Sequence, residues 1–147
     1  MDLGNLFFGF SGRIGRAAYW MTALVFAVVS LFAVSPVWLV VFDPNGNVTE
    51  AFVVIGLVAL VMLAIFLSSI AVGIKRLHDR NKSGWWMLFF YVLPSVLVVA
   101  AELSGDPATI TFGTYTSAAI GLWAFVELGL LRGTEGPNEF GPDPHYA

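Results

Sequence analysis

The chain has 147 residues, 58% of them hydrophobic and only 12% charged, with a formal net charge of -3. An ordinary soluble domain carries about 25% charged residues, so this composition excludes a normal water-facing surface. The absence of cysteine excludes disulfides, thiolate metal sites, a cysteine nucleophile and S-palmitoylation.

At the start of the chain, Leu3, Leu6, Phe7 and Phe10 share one face at helical spacing. They predict a short segment lying in a membrane interface, although Gly4 and Gly9 weaken its helix. Arg13 and Arg16 follow the short apolar run Leu6 to Phe10 instead of preceding it, so the start does not read as a cleaved signal and is expected to persist. Four uncharged stretches then follow, at 17–42, 51–74, 83–101 and 107–126, the last continuing past Glu127 to Leu131. At about 1.5 Å per residue even the shortest approaches the roughly 30 Å of a hydrocarbon core. Each is apolar all round, unlike the striped helices of a soluble bundle. Ala51 to Ile74 also lacks the alternation of a barrel strand.

Asp43-Pro44-Asn45-Gly46-Asn47 and Ser104-Gly105-Asp106-Pro107 are turn signals. The expected fold is therefore an all-α membrane protein, a single domain over 1–147. Its four transmembrane helices form two antiparallel hairpins, after the interfacial segment and before a turn-rich tail, 132–147, packed on the cytoplasmic face. Small residues mark faces where membrane helices approach closely. Gly113, Ser117 and Gly121 are expected to form one such face, and Ala64, Ser68, Ser69 and Gly73 another. Pro36 and Pro94 each remove a backbone donor and predict kinks.

Lysine and arginine occur at Arg13, Arg16, Lys75, Arg76, Arg80, Lys82 and Arg132 only. With four spans all of them fall on one side, which the positive-inside rule makes cytoplasmic, together with both termini. Tyr19, Trp20, Trp85 and Trp86 at that side, and Trp38 near the other, suit interfacial anchors.

The residues with chemical potential gather at the same side. Between the second and third spans lies Lys75-Arg76-Leu77-His78-Asp79-Arg80-Asn81-Lys82. Its cations can hold an anion, and His78 beside Asp79 can relay a proton. The competing reading gives the basic residues the task of fixing orientation, and Asp79 an arginine partner or a turn to cap. The tail from Arg132 to His145 is broken by glycines and prolines, which predicts a set of turns laid beside His78. Glu127 is a carboxylate inside a span, a functional candidate by default. Only four residues separate it from Leu131, so pairing with Arg132 or a loop arginine is the alternative. There is no phosphate-binding glycine loop, zinc-spaced histidine pair or serine elbow. His78 and His145 are the only histidines, so no metal and no cofactor is expected.

Phe10-Ser11-Gly12-Arg13-Ile14-Gly15-Arg16 with Tyr19-Trp20, Lys75-Arg76-Leu77-His78-Asp79 with Ser83-Gly84-Trp85-Trp86, and Gly133-Thr134-Glu135-Gly136-Pro137-Asn138-Glu139-Phe140-Gly141-Pro142-Asp143-Pro144 resemble three blocks of a bacterial inner-membrane family, domain of unknown function 805. The resemblance spans nearly the whole chain. It implies a small multi-helix protein of the inner membrane with no assigned activity and no catalytic residues. It also implies that Arg13, Arg16, Arg76, His78, Asp79, Asn138 and Asp143 form one polar cluster, as the charge-derived topology does. The reading favoured by these features is an interaction, scaffold or lipid-headgroup-binding module. Its partners would be the bilayer, anionic headgroups, and a protein partner or second copy, with no nucleic acid. The alternatives are a small transporter or channel using Glu127, and an interfacial enzyme acting on a phosphorylated lipid through His78 and Asp79.

Overall fold

In the computed structural model, residues 2–43 and 46–144 are described. Pro44, Asn45 and His145, named above in turn and tail motifs, lie outside them. All named elements are helical. α1 covers Leu3–Phe8, α2 Arg16–Val41, α3 Val48–Asp79, α4 Leu93–Ser104 and α5 Pro107–Phe125. A π-helical turn, Leu88–Val92, leads into α4, and a second, Val126–Leu130, continues α5.

Local chemistry explains the ends. Asp2 accepts a hydrogen bond from the Gly4 amide at the start of α1, and Asn47 accepts one from the Thr49 amide at the start of α3. Asp106 holds both the Thr109 amide and hydroxyl, with Pro107 in the first turn of α5. α4 ends on Gly105 at φ +64°, a left-handed conformation that glycine adopts without steric cost. Pro36 is contained within the continuous helix α2. Pro94 has no amide to give the carbonyl four residues back, and the widened turn before it bonds Leu93 N to Leu88 O instead.

α2 and α3 are each long and apolar enough to cross a membrane. Along α2 only Thr22 is buried, and Leu24, Val25, Val28, Val29, Leu31, Phe32 and Leu39 face outward, as hydrocarbon favours and water does not.

α2 packs on α3, and α4 on α5, as two hairpins. Gly113 lets the second pair close up. A Cβ there would lie 2.7 Å from Ala101 Cβ and 3.1 Å from Leu97 O, and the Ser117 hydroxyl donates to Pro94 O. Gly121, expected on the same face, has open space around its Cβ position, because the continuing register carries it out of the contact. In the other expected stripe, Ser68 and Gly73 are buried while Ala64 is exposed.

The hairpins approach each other through the π turn Val126–Leu130, which lies against α2 and α3. The hydrophobic core sits at this end, made of Leu77, Met87, Phe90, Ile120 and Leu128. Trp86, Phe89, Phe90 and Trp123 pack edge to face beside it. Every lysine and arginine belongs to this end, the basic end.

α3 corrects one expectation. It runs to Asp79, so Lys75, Arg76, His78 and Asp79 occupy its last turns and do not form a loop. Nothing between Ile74 and Asp79 breaks a helix, and leucine, lysine and arginine are strong helix formers.

Candidate functional site

Asp79 is the centre of the basic end. It is 2% exposed, Arg13 is 4% and Arg76 is 0%, and such burial of an ionised group requires charged partners. Arg13 donates to Asp79 Oδ1 from Nε (3.2 Å) and Nη2 (3.0 Å), while Arg76, one turn earlier on α3, donates to Oδ2 from Nη1. The backbone oxygen of Asp79 accepts from the amide and the hydroxyl of Thr134, at 2.8 and 3.0 Å. Gly133 makes this approach possible. A Cβ on Gly133 would lie 2.0 Å from Asp79 Oδ2.

Arg13 also ties the tail into the cluster. Its Nη1 donates to Gly136 O (2.7 Å) and Gly141 O (3.3 Å), and its Nη2 to Thr134 O (2.6 Å). The tail is preformed for this by tight turns. Asn138 and Gly141 exchange both backbone hydrogen bonds, at 3.0 and 3.1 Å, and Gly136 and Gly141 hold positive φ angles of 73° and 137°. Asp143 accepts from the Gly136 amide at 2.9 Å. Asn138 donates through Nδ2 to His78 O and Thr134 Oγ1, both at 2.8 Å, and its Oδ1 receives the Phe140 amide.

The His78 ring lies flat on Phe140, with centroids 4.0 Å apart and planes 4° from parallel. Its Nδ1 is 3.2 Å from Gly12 O, so the tautomer with the proton on Nδ1 donates there. Burial pushes the His78 pKa below the ordinary histidine value, against a smaller upward effect of the Gly12 contact. His78 and Asp79 engage different partners, so the proton relay suggested by their adjacency is not assembled.

The other cations close the last helix. A helix end leaves its final carbonyls without intrahelical donors, and here other elements supply them. Leu128 O receives Arg76 Nε (2.8 Å), Gly129 O receives Trp20 Nε1 (3.0 Å), and Leu130 O receives Arg16 Nη1 (3.0 Å). Leu131 O receives Arg76 Nη2, and Arg132 O receives Arg80 Nη1 at 2.7 Å. The guanidiniums also complement the negative end of the helix dipole. At the other edge Lys75 Nζ donates to the carbonyls of Asn5 and Leu6 near the end of α1.

Glu127 is 3% exposed and is held by Arg80 Nε at 2.9 Å and Lys82 Nζ at 2.8 Å. Lys82 also sits over the Trp86 ring, 5.1 Å from its centroid. The carboxylate thus takes its partners from the segment after α3, while Arg132 contributes only its carbonyl, to Arg80.

The structure therefore joins Arg13, Arg76, His78, Asp79 and Asn138 in one hydrogen-bonded cluster. Asp143 fastens the tail turn beside it, and Arg16 stands at the rim, bound to the end of the last helix. The sequence-based set omitted Thr134, Gly133, Phe140, Trp20, Arg80 and Lys82. Among the described residues every buried side-chain nitrogen and oxygen has a hydrogen-bond partner, and no group of acidic or histidine ligands is arranged for a metal. Outside the closed cluster lies a recess of about 460 Å³, bordered by Arg16, Asp79, Arg132, Glu135 and Asp143 and by Gly133, Thr134 and Gly136.

An all-helical chain with apolar outer faces and a satisfied polar cap at one end describes a class of small helical membrane proteins. Residues 7–142 match the family described as Protein of unknown function (DUF805), and the chain belongs to that family. Among its relatives in Escherichia coli (strain K12), "Inner membrane protein YhaI" is 30% identical, the match covering 94% of this chain and 87% of the relative. "Uncharacterized protein YiiR" is 29% identical over 97% and 90%. "Inner membrane protein YhaH" is 26% identical over 92% and 87%. No solved structure matches the chain.

Proposed function

We propose that the protein is a four-span protein of the bacterial inner membrane, with both ends and the basic cap in the cytoplasm, and that the recess in this cap binds the phosphate of an anionic lipid headgroup. The relatives named as inner membrane proteins support the location, and the one-sided placement of lysine and arginine supports the orientation. The spans correspond to 17–42, 51–74, 83–101 and 107–131.

One observation carries the headgroup reading. Arg13, Arg76, Arg80 and Lys82 are committed to carboxylates and carbonyls, whereas Arg16 makes one bond, to Leu130 O, and the Arg132 guanidinium has no partner among the described residues. Both arginines are exposed, both border the recess, and Arg16 lies one turn from the half-exposed Trp20, a residue type favoured at headgroup level. Of the carboxylates at the recess, Asp79 is already matched by Arg13 and Arg76, Asp143 is bound to the Gly136 amide, and Glu135 is exposed, where solvent and salt screen its charge. Guanidinium donors beside an interface suit a phosphate.

The test is native mass spectrometry of protein released from nanodiscs of mixed phosphatidylglycerol and phosphatidylcholine. The wild type should retain phosphatidylglycerol selectively, and Arg16→Gln combined with Arg132→Gln should lose the selectivity while remaining folded. Equal retention by variant and wild type would remove the basis of the reading. The transporter alternative is weakened by the Arg80 and Lys82 pairs that hold Glu127. The enzyme alternative is weakened by the His78 ring lying on Phe140.

A further inference from the structure

A second cavity, of about 250 Å³, opens between the hairpins above the basic end, and it is unlike the polar recess. Its walls are mostly apolar, with Ala23 and Phe26 from α2 and Ile65 and Val72 from α3. Two phenols, Tyr19 from α2 and Tyr91 from the π turn before α4, line the same space.

The hydrogen-bond accounting at this cavity is incomplete on one side only. The Thr22 hydroxyl donates to Tyr19 O and the Ser69 hydroxyl to Phe66 O, each at 2.8 Å, so both are used within their own helices. Neither tyrosine hydroxyl is bonded to another described residue, and both residues line the cavity. A hydroxyl in apolar surroundings gains by finding an acceptor. The π turn contributes to this geometry. Tyr91 lies in the widened stretch that accommodates Pro94, and its ring rests edge-on to Phe66 at 6.3 Å.

We propose that this cavity binds a bilayer-soluble molecule through a carbonyl oxygen, with Tyr19 and Tyr91 as hydrogen-bond donors and the apolar walls holding the adjoining chain. Two membrane constituents share that chemistry, the acyl ester of a glycerolipid and the ring of a quinone. The inference is independent of the headgroup reading, since it uses neither Arg16 nor Arg132.

The experiment compares full-length wild type with Tyr19→Phe/Tyr91→Phe in nanodiscs, a change that removes only the two hydroxyls. One arm measures retention of ester-linked against ether-linked phosphatidylcholine of equal chain length, and the other titrates a decyl-substituted benzoquinone. With two neutral hydrogen bonds removed, the double substitution should weaken the true ligand by about tenfold or more and leave thermal stability unchanged. Loss of the ester preference identifies a glycerolipid, and loss of benzoquinone binding identifies a quinone. Binding in both arms that ignores the substitution, or no binding in either, overturns the proposal. A large fall in stability would also overturn it, because the hydroxyls would then have partners inside the protein.

Discussion

Replacing Asp79 by asparagine should destabilise the protein more than neutralising any other carboxylate. The side chain is 2% exposed and lies between Arg13 and Arg76, which are 4% and 0% exposed. Neither guanidinium can turn to water, so removing the charge strands buried cations, a change that costs about 3–5 kcal/mol. Glu127 provides the internal comparison. It is just as buried, but its partners Arg80 and Lys82 have side chains 22% and 29% exposed, so Glu127→Gln leaves cations that can rehydrate, at a cost of about 1 kcal/mol. For a chain of this length each kcal/mol moves the unfolding midpoint by roughly 3 °C, which gives shifts of roughly 9–15 °C and 3 °C. Thermal unfolding in mild detergent, followed by the intrinsic fluorescence of the 5 tryptophans, measures both. Equal shifts, or an Asp79→Asn shift no larger than that of Glu127→Gln, would refute the assignment of Asp79 as the electrostatic centre.

The packing of α4 on α5 separates two glycines. Gly113→Ala should lower the unfolding midpoint because its Cβ meets Ala101 and Leu97 O, while Gly121→Ala, with open space at its Cβ, should not; similar effects at both positions would contradict the packing. Gly133→Ala should detach the tail, since its Cβ would occupy the place of the Asp79 carboxylate. Limited proteolysis should then cut after Arg132 faster than in the wild type, and an unchanged rate would argue against the contact. His78 makes stability depend on pH. Its folded pKa is depressed by burial, so its contribution is complete above the unfolded value of about 6.5. That contribution is lost as the pH falls through the folded value. Unfolding midpoints measured between about pH 7.5 and pH 5 should drop more steeply for the wild type than for His78→Gln, and parallel profiles would rule this out.

The elements readable in advance were those written in side-chain type. Uncharged runs marked α2 to α5, and Asp106-Pro107 marked the start of α5 because a carboxylate cap and a first-turn proline have specific backbone roles. The end of α3 was not readable, because a dense run of charges looks like a loop although lysine, arginine and leucine continue a helix well. Much of the cluster was hidden for a different reason. Arg16, Arg76, Arg80 and Trp20 donate to backbone oxygens of 128–132, and a carbonyl acceptor has no residue signature. Glu127 did carry a signal, since a carboxylate in an apolar run demands a cation. Which cations answered it depended on α3 ending beside α5, a tertiary fact. Gly133 and Thr134 read in the sequence as turn residues, although their contacts with Asp79 require one to be small and the other to carry a hydroxyl.

The headgroup proposal rests on the orientation of the basic end, and the absence of cysteine makes that orientation directly measurable. Single cysteines at Glu50, Ser83, Glu102 and Glu139, all exposed positions, can be treated in intact bacterial cells with a membrane-impermeant maleimide. The account predicts labelling at 50 and 102 in intact cells, and labelling at 83 and 139 only after the inner membrane is opened. Labelling of 83 or 139 from outside, or protection of 50 and 102, would contradict it.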